Sequence, residues 1–388
     1  MNTKLFFLSY MFLPFAFSSP GMTQEKLRID DKTAVVVDSP WKLIDVETTA
    51  SLRGLHVLSK TDVWASGSGG TIVNTIDGGK TWRVRVVEGA EKLDFRDIHA
   101  IDDGTIVAIT SGTPARIYRS TSGGSSWKLC YENEDPDVFL NALSFWNDRQ
   151  GIVTGDPIDG KLFLLETNDG GRSWNKFKQI PRTLPGEAGF AASGTNMITL
   201  GNRKVYIALG GAKENDSHKT SRIIVSDQGG VNWTATSAPI QRTPSAGIFS
   251  ICFPTPKNGV VVGGDYRDPD STTSNYAFTS DGGATWTTPK SPQPPSGFRS
   301  CVSTWIDGRE IKLIAVGPNG TDLSTDLGKK WHRVSNEGFH AIGFTQDRKI
   351  GWGTGADGRI AKWLGIAKVK PVAKSKTEPS QRLETNKK

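Results

Sequence analysis

Cysteine is scarce in this chain. Three thiols, Cys130, Cys252 and Cys301, are spread over 388 residues. That number is odd and too small for a disulfide scaffold. Each lies in a strand-like run and reads as a buried free thiol. Histidine is as thin, with five residues at 56, 99, 218, 332 and 340, and no Cys/His spacing of a zinc site occurs. His56 and His99 read as core residues. The glycine clusters at 67–70 and 209–211 lead into no helical pattern, which excludes a phosphate loop. There is no nucleophile elbow and no dinucleotide fingerprint. Metal and cofactor are therefore both expected to be none. Charged residues make up only 22%, which is the composition of neither a coiled coil nor a disordered chain.

The formal charge of +7 is concentrated at the end of the chain. Residues 366–388 carry seven Lys/Arg against two Glu, and the body is close to neutral. Nucleic acid is thereby a poor partner. The tail, rich in Lys, Pro, Ser and Thr, reads as basic and disordered, and membrane contact is expected only through it. Long apolar runs are absent except for Leu5–Phe17 behind Lys4, followed by small residues. Residues 1–22 read as a signal peptide, residues 23–40 as a linker, and the mature chain as an exported monomer. A retained anchor is the alternative.

What the chain has instead is glycine, 43 residues, and tryptophan, 12 residues, in a repeated phrase. Ser/Thr-x-Asp-x-Gly-x-x-Trp recurs six times with variations. It ends at Trp82, Trp127, Trp174, Trp233, Trp286 and Trp331, spaced 45, 47, 59, 53 and 45 residues apart. Such a period is one four-stranded propeller blade. Asp77, Asp169, Asp281 and Asp326 fill the acidic position, whereas Ser122 and Gln228 replace it in the second and fourth copies. A short polar side chain can accept backbone N–H bonds inside a tight turn, glycine supplies positive φ, and the Trp buries a large ring. These residues read as structural. A calcium site is disfavoured, since each box offers one carboxylate and Ca²⁺ takes six to eight oxygens.

Two strand-like runs precede each box and its flanking pair. The inner strands of repeats three to six are expected to begin near Leu140, Phe190, Ile248 and Phe298. A seventh unit begins at Phe339 with three strands and no box. Trp41–Val46 resembles a fourth strand without partners, so it is expected to complete that last blade and close the ring. The reading is all-β, one seven-bladed propeller over residues 41–365. The polar insertions Gly211–Lys219 and Asp268–Asn275 read as surface loops.

Propeller ligands meet the central channel and the loops of one face. Aligning the first strands puts Arg53, Arg96, Asn141, Ala191, Phe249, Arg299 and His340 at one equivalent position. Three arginines and a histidine are unusual for a packed interior. Asp156 and Asp265 end second strands, with Arg267 just beyond, and Glu187 precedes the fourth inner strand. Such a mouth suits a carboxylate, a phosphate or a protein C-terminus. Alternatively the arginines and carboxylates pair with one another. Catalysis would need two carboxylates at glycosidase separation, for which Asp156 with Glu187, or Glu187 with Asp265, are the candidates.

The span from Trp41 to Trp363 resembles the photosystem II stability/assembly factor family and its bacterial secreted relatives. The carrying phrases are the boxes with FRDIHA (95–100), GIVTGDPIDGKLFLLETNDGGRSW (151–174), GEAGFAASGTN (186–196), GGDYRDP (263–269), FRS (298–300), VGPNGTDLSTD (316–326) and EGFHAI (337–342). The resemblance implies a seven-bladed, non-enzymatic assembly factor that binds a protein partner. It places the binding positions at Arg96, Asp156, Glu187, Asp265, Arg267, Arg299 and His340. The boxes are also similar to those of sialidases. Arg53, Arg96 and Arg299 could stand in for a sialidase arginine triad, although the F/Y-R-I-P phrase is missing and the blade count is seven. A sialidase-like glycoside hydrolase or glycan-binding protein is thus the rival to a binder of a protein segment or acidic ligand.

Overall fold

The computed structural model describes residues 39–366 apart from Ser291. The signal peptide, almost all of the linker and all but Ile366 of the basic tail lie outside the described residues. No described helix is long and apolar enough to cross a membrane.

Seven antiparallel sheets follow one another around a ring. Blade 1 runs Leu52–Val57, Val63–Gly67, Thr71–Thr75 and Arg83–Val86 from the channel outward. Blade 2 runs Asp94–Ala100, Ile106–Ser111, Ala115–Ser120 and Lys128–Asn133. The second and third strands are buried throughout or nearly so and are rich in Val, Ile and Ala, as strands covered on both faces require. Seven apolar clusters fill the described core, one between each pair of neighbouring blades. The ring therefore has no single centre of hydrophobic packing.

The last blade closes as the sequence led us to expect. Trp41–Ile44 pairs antiparallel with Ile360–Trp363, Trp41 opposite Trp363 and Ile44 opposite Ile360. The pairing covers four residues of the six anticipated. Trp41 anchors it, with its ring 4.6 Å from Phe339 and 4.8 Å from Trp363, and its indole N–H donates to Thr321 Oγ1 at 3.0 Å. Closure removes a free sheet edge.

Each box is the turn between third and fourth strands. In the first, Asp77 accepts the N–H groups of Lys80 and Thr81 and the Thr81 hydroxyl. The Thr81 hydroxyl and N–H hold its carboxyl well below the usual carboxylate range. The feature common to all six is the leading Ser or Thr. Its hydroxyl accepts the N–H of the glycine four residues on at 2.9–3.0 Å in every copy. That glycine also touches the preceding blade: a Cβ on Gly79, at φ +85°, would fall 2.2 Å from the Trp352 ring.

Two blades depart from four regular strands. Blade 5 has three strands, and its fourth is a single bridge between Phe278 and Thr287. Pro289, Pro292, Pro294 and Pro295 follow, and proline cannot donate to a ladder. In blade 4 the inner strand is Met197–Leu200 and not a strand from Phe190. Residues 187–196 instead cross the channel.

Candidate functional site

The antiparallel order puts the starts of the inner strands and the ends of the second strands on one face. The boxes lie on the other. On the first face, four inner strands carry a β-bulge at the position singled out from the sequence: Arg53, Arg96, Asn141 and Phe249 are each skipped by the ladder. A bulge re-aims its side chain. These four residues therefore leave the blade-to-blade packing and turn to the mouth.

Arg53, Arg96 and His340 converge there with Arg359, which sequence reasoning missed. Arg96 pairs with Asp94 at 2.9 Å, donates to the carbonyl of Ala191 at 3.0 Å, and lies 5.8 Å above the Phe139 ring. Arg359 donates to the carbonyl of Gly338 at 3.0 Å, with Glu337 3.7 Å away. His340 meets the Ser51 hydroxyl at 3.1 Å. Burial lowers its pKa to about 3, helped by Arg53, Arg96 and Arg359, so the ring is neutral. The Arg53 side chain forms no hydrogen bond or ion pair among the described residues. Its pKa is lowered to about 10 by burial and by Arg96. This half of the mouth is electropositive and holds one unpaired guanidinium.

Arg299 is elsewhere. Its N–H donates to Gly263 O across the blade boundary, as Leu52 N–H does to Gly355 O and Phe339 N–H to Gly317 O. Arg299 thus occupies the core position of Leu52 and Phe339, one residue out of step with Arg53 and His340. A one-residue offset reverses the side-chain direction. Arg299 is fully buried, with Nε 2.6 Å and Nη2 2.5 Å from Asp322, and Nη1 donating to Asn319 and Phe298 O. Ser300 takes the mouth position, which leaves no triad of Arg53, Arg96 and Arg299.

The carboxylates also separate. Glu187 is buried and saturated by Arg222 at 2.5 and 2.7 Å and by the Leu184 N–H. Asp156 accepts from Asn141 Nδ2 and the Gly189 N–H, and burial pushes its pKa up to about 6. Asp265 and Arg267 sit further out on blade 5. Asp265 accepts the Arg267 N–H and lines a polar cavity of about 240 Å³ with Asp268, Ser271 and Thr273. No cluster of three or more metal-ligating side chains occurs among the described residues.

The channel-crossing segment is the largest feature the sequence concealed. Ser193 Oγ donates to Ser300 O at 2.8 Å, on blade 6. Thr195 O accepts the Ile251 N–H, on blade 5. Gly194, at φ +73°, lies against Asp97 of blade 2, where a Cβ would sit 2.4 Å from the carboxyl carbon. Asp97 is buried and accepts the N–H groups of Ile98 and Leu143. Burial pushes its pKa up to about 7 against those two bonds. Segment 187–196 plugs the ring and closes the channel to a macromolecular ligand.

The sequence pattern of the family described as photosynthesis system II assembly factor YCF48 matches residues 33–131. The photosystem II assembly lipoprotein Ycf48 of Synechococcus sp. (strain CC9902) is 27% identical over 146 residues, 38% of this chain and 42% of that protein. That alignment spans less than half of the relative's length. The protein of the same name from Picosynechococcus sp. is 24% identical over 345 residues, 84% of this chain and 88% of that one. A solved structure of YCF48 bound to D1 peptide superimposes with a TM-score of 0.59 at 17% identity, covering 90% of this chain and all of that one. A xyloglucanase from Xanthomonas campestris shares the blade architecture at TM-score 0.57 and 14% identity, over 84% of this chain and 54% of that one. The boxes, the seven closed blades and these matches agree: the chain is similar in sequence and in fold to the photosystem II assembly factors named Ycf48.

Proposed function

We propose that this chain is an exported, assembly-factor-like propeller. Its mouth binds a protein segment through an anionic group placed between Arg53, Arg96 and Arg359. The observation that carries this reading is the unpaired Arg53 guanidinium beside a second arginine and a neutral His340. A half-buried cation without a partner leaves its desolvation uncompensated, and a carboxylate or phosphate offsets it with two charge-assisted bonds. The names of the relatives, and the D1 peptide bound by one solved relative, favour a protein segment over a free small anion. The apolar run at Leu5–Phe17 supports export, and the relatives named lipoproteins agree with it. Binding is preferred to glycoside hydrolysis because Glu187, common to both candidate carboxylate pairs, is locked by Arg222 and has no access to a sugar.

The test is a pulldown from the envelope fraction of the host with wild type and Arg53→Ala, read by mass spectrometry. A protein retained by wild type and lost in the variant is the expected result. A partner that survives the substitution moves the site elsewhere. Hydrolysis of xyloglucan by wild type, abolished in Glu187→Gln, would replace binding with catalysis.

A further inference from the structure

The mouth has a second half with different chemistry. Opposite the arginines, Phe190 on the plug stacks flat on Phe249 of blade 5, with centroids 4.1 Å apart and planes 2° apart. Phe298 meets Phe249 edge-on at 4.6 Å. Tyr266 stands perpendicular to both Phe190 and Phe249 at 6.3 Å. The group is seated without freedom. A Cβ on Gly210 would fall 2.3 Å from the Phe190 ring, and one on Gly247 3.0 Å from it, so only glycine admits the stack. Phe249 and Phe298 are buried, but Phe190 is half-buried and Tyr266 is 42% exposed, the one aromatic ring among the described residues with large exposed apolar surface. The Arg267 guanidinium lies 5.8 Å from the Tyr266 ring centre.

We infer that this aromatic shelf is a second subsite, which takes an aromatic or branched aliphatic side chain of the segment whose anionic group sits on the arginines. The inference rests on the reading of the mouth as a protein-segment site. Continuity with the arginine half supports it. Arg96 faces Phe139 on one side and holds Ala191, the neighbour of Phe190, on the other. A chain lying across the mouth thus meets charge and then aromatic surface within a few residues. Rigid aromatic surface binds at low entropic cost, since the rings have nothing left to lose in ordering. A lone anion such as phosphate would not use the shelf, so the shelf separates a peptide from a small ligand.

The probe is an acetylated Gly/Ser nonapeptide ending in Asp-Asp with a free carboxylate, fluorescently labelled and titrated with the full chain. A second series carries one Phe, walked from the third to the seventh residue before the end. A control has Asn-Asn and a C-terminal amide. At one or two Phe positions the affinity is expected to rise about tenfold over the plain acidic peptide, roughly the worth of one buried ring edge. Tyr266→Ala is expected to remove that gain and leave the plain acidic peptide unchanged. Tyr266→Phe keeps the gain. Arg53→Ala is expected to weaken both peptides, which tests the arginine half separately. A Phe series that binds no better than the plain peptide overturns the shelf but leaves the arginine site standing, as does a gain that persists in Tyr266→Ala. Equal binding of the Asn-Asn amide control overturns the arginine half, and binding of no peptide at all overturns both.

Discussion

Two side chains that look alike in sequence have opposite roles here, and each makes its own prediction. Arg299 pairs with Asp322 in the core. Removing one member of a buried pair strands the other charge, so Arg299→Ala is expected to cost about 3–5 kcal/mol in urea unfolding. The double variant Arg299→Met/Asp322→Leu is expected to recover part of that. Arg53 has no such partner, and Arg53→Ala is expected to leave the midpoint nearly unchanged. His340 makes the pH prediction. Its folded pKa, about 3, lies below its ordinary value near 6.5, so between these the unfolded chain binds one more proton. Stability from this residue therefore rises with pH from about 3 to 6.5, at roughly 1.4 kcal/mol per pH unit. Burial also lowers the pKa of His56, to about 4, and of His99, and the slopes add. Asp97 and Asp156, with raised values, oppose them. Unfolding of His340→Gln at several pH values between 4 and 6.5 is expected to show a slope smaller by about one proton. An unchanged slope would mean that the ring is protonated in the fold.

At the scale of the element, the closing strand is the part most exposed to failure. Trp41–Ile44 contributes the outer edge of the last blade, and Trp41 lies between Phe339, Trp363 and Thr321. A chain beginning at Glu47 would leave Ile360–Trp363 as an open edge beside an emptied Trp site. Size-exclusion chromatography of that chain is expected to show concentration-dependent association, and of Trp41→Ala a loss of about 3–5 kcal/mol without association. The closing strand was legible because a blade-like run stood without partners at one end of the sequence and a three-stranded unit at the other. The boxes were legible because a turn is written in local chemistry, although the Ser/Thr common to all six is a firmer mark than the Asp present in four. Other features were hidden for physical reasons. Phe298-Arg299 repeats Phe95-Arg96 in letters, yet the backbone sets Arg299 one step earlier than Arg96. Phe190 begins a run that reads as a strand. Its neighbours Gly186, Gly189 and Gly194 permit a path that no periodicity records, and the contacts that fix that path come from four other blades.

At the scale of the whole molecule, the plug joins the ring to its mouth. Seven blades packed in pairs leave an axial gap, and in this chain segment 187–196 fills it by bonding to blades 2, 3, 5 and 6. Its anchors are unequal. Glu187 with Arg222 fixes the entrance by a buried ion pair, and Ala208 N–H to Asn196 O fixes the exit. Between them, the contact with blade 2 depends on Arg96 Nη1 donating to Ala191 O. The same guanidinium lies in the arginine half of the mouth, proposed above to take the anion. A hydrogen bond from a charged donor contributes about 1.5–3 kcal/mol. Its loss would raise the open population of the plug ten- to a hundredfold without unfolding any blade. In Arg96→Ala, backbone hydrogen exchange over residues 190–195 is therefore expected to accelerate by at least tenfold. Exchange in the box turns, which share no bond with Arg96, should keep its wild-type rate. Acceleration in both places would mean that Arg96 supports the fold at large. Acceleration in neither would mean that Ser193 and Thr195 hold the plug by themselves, and that the mouth and the channel are independent parts of the ring.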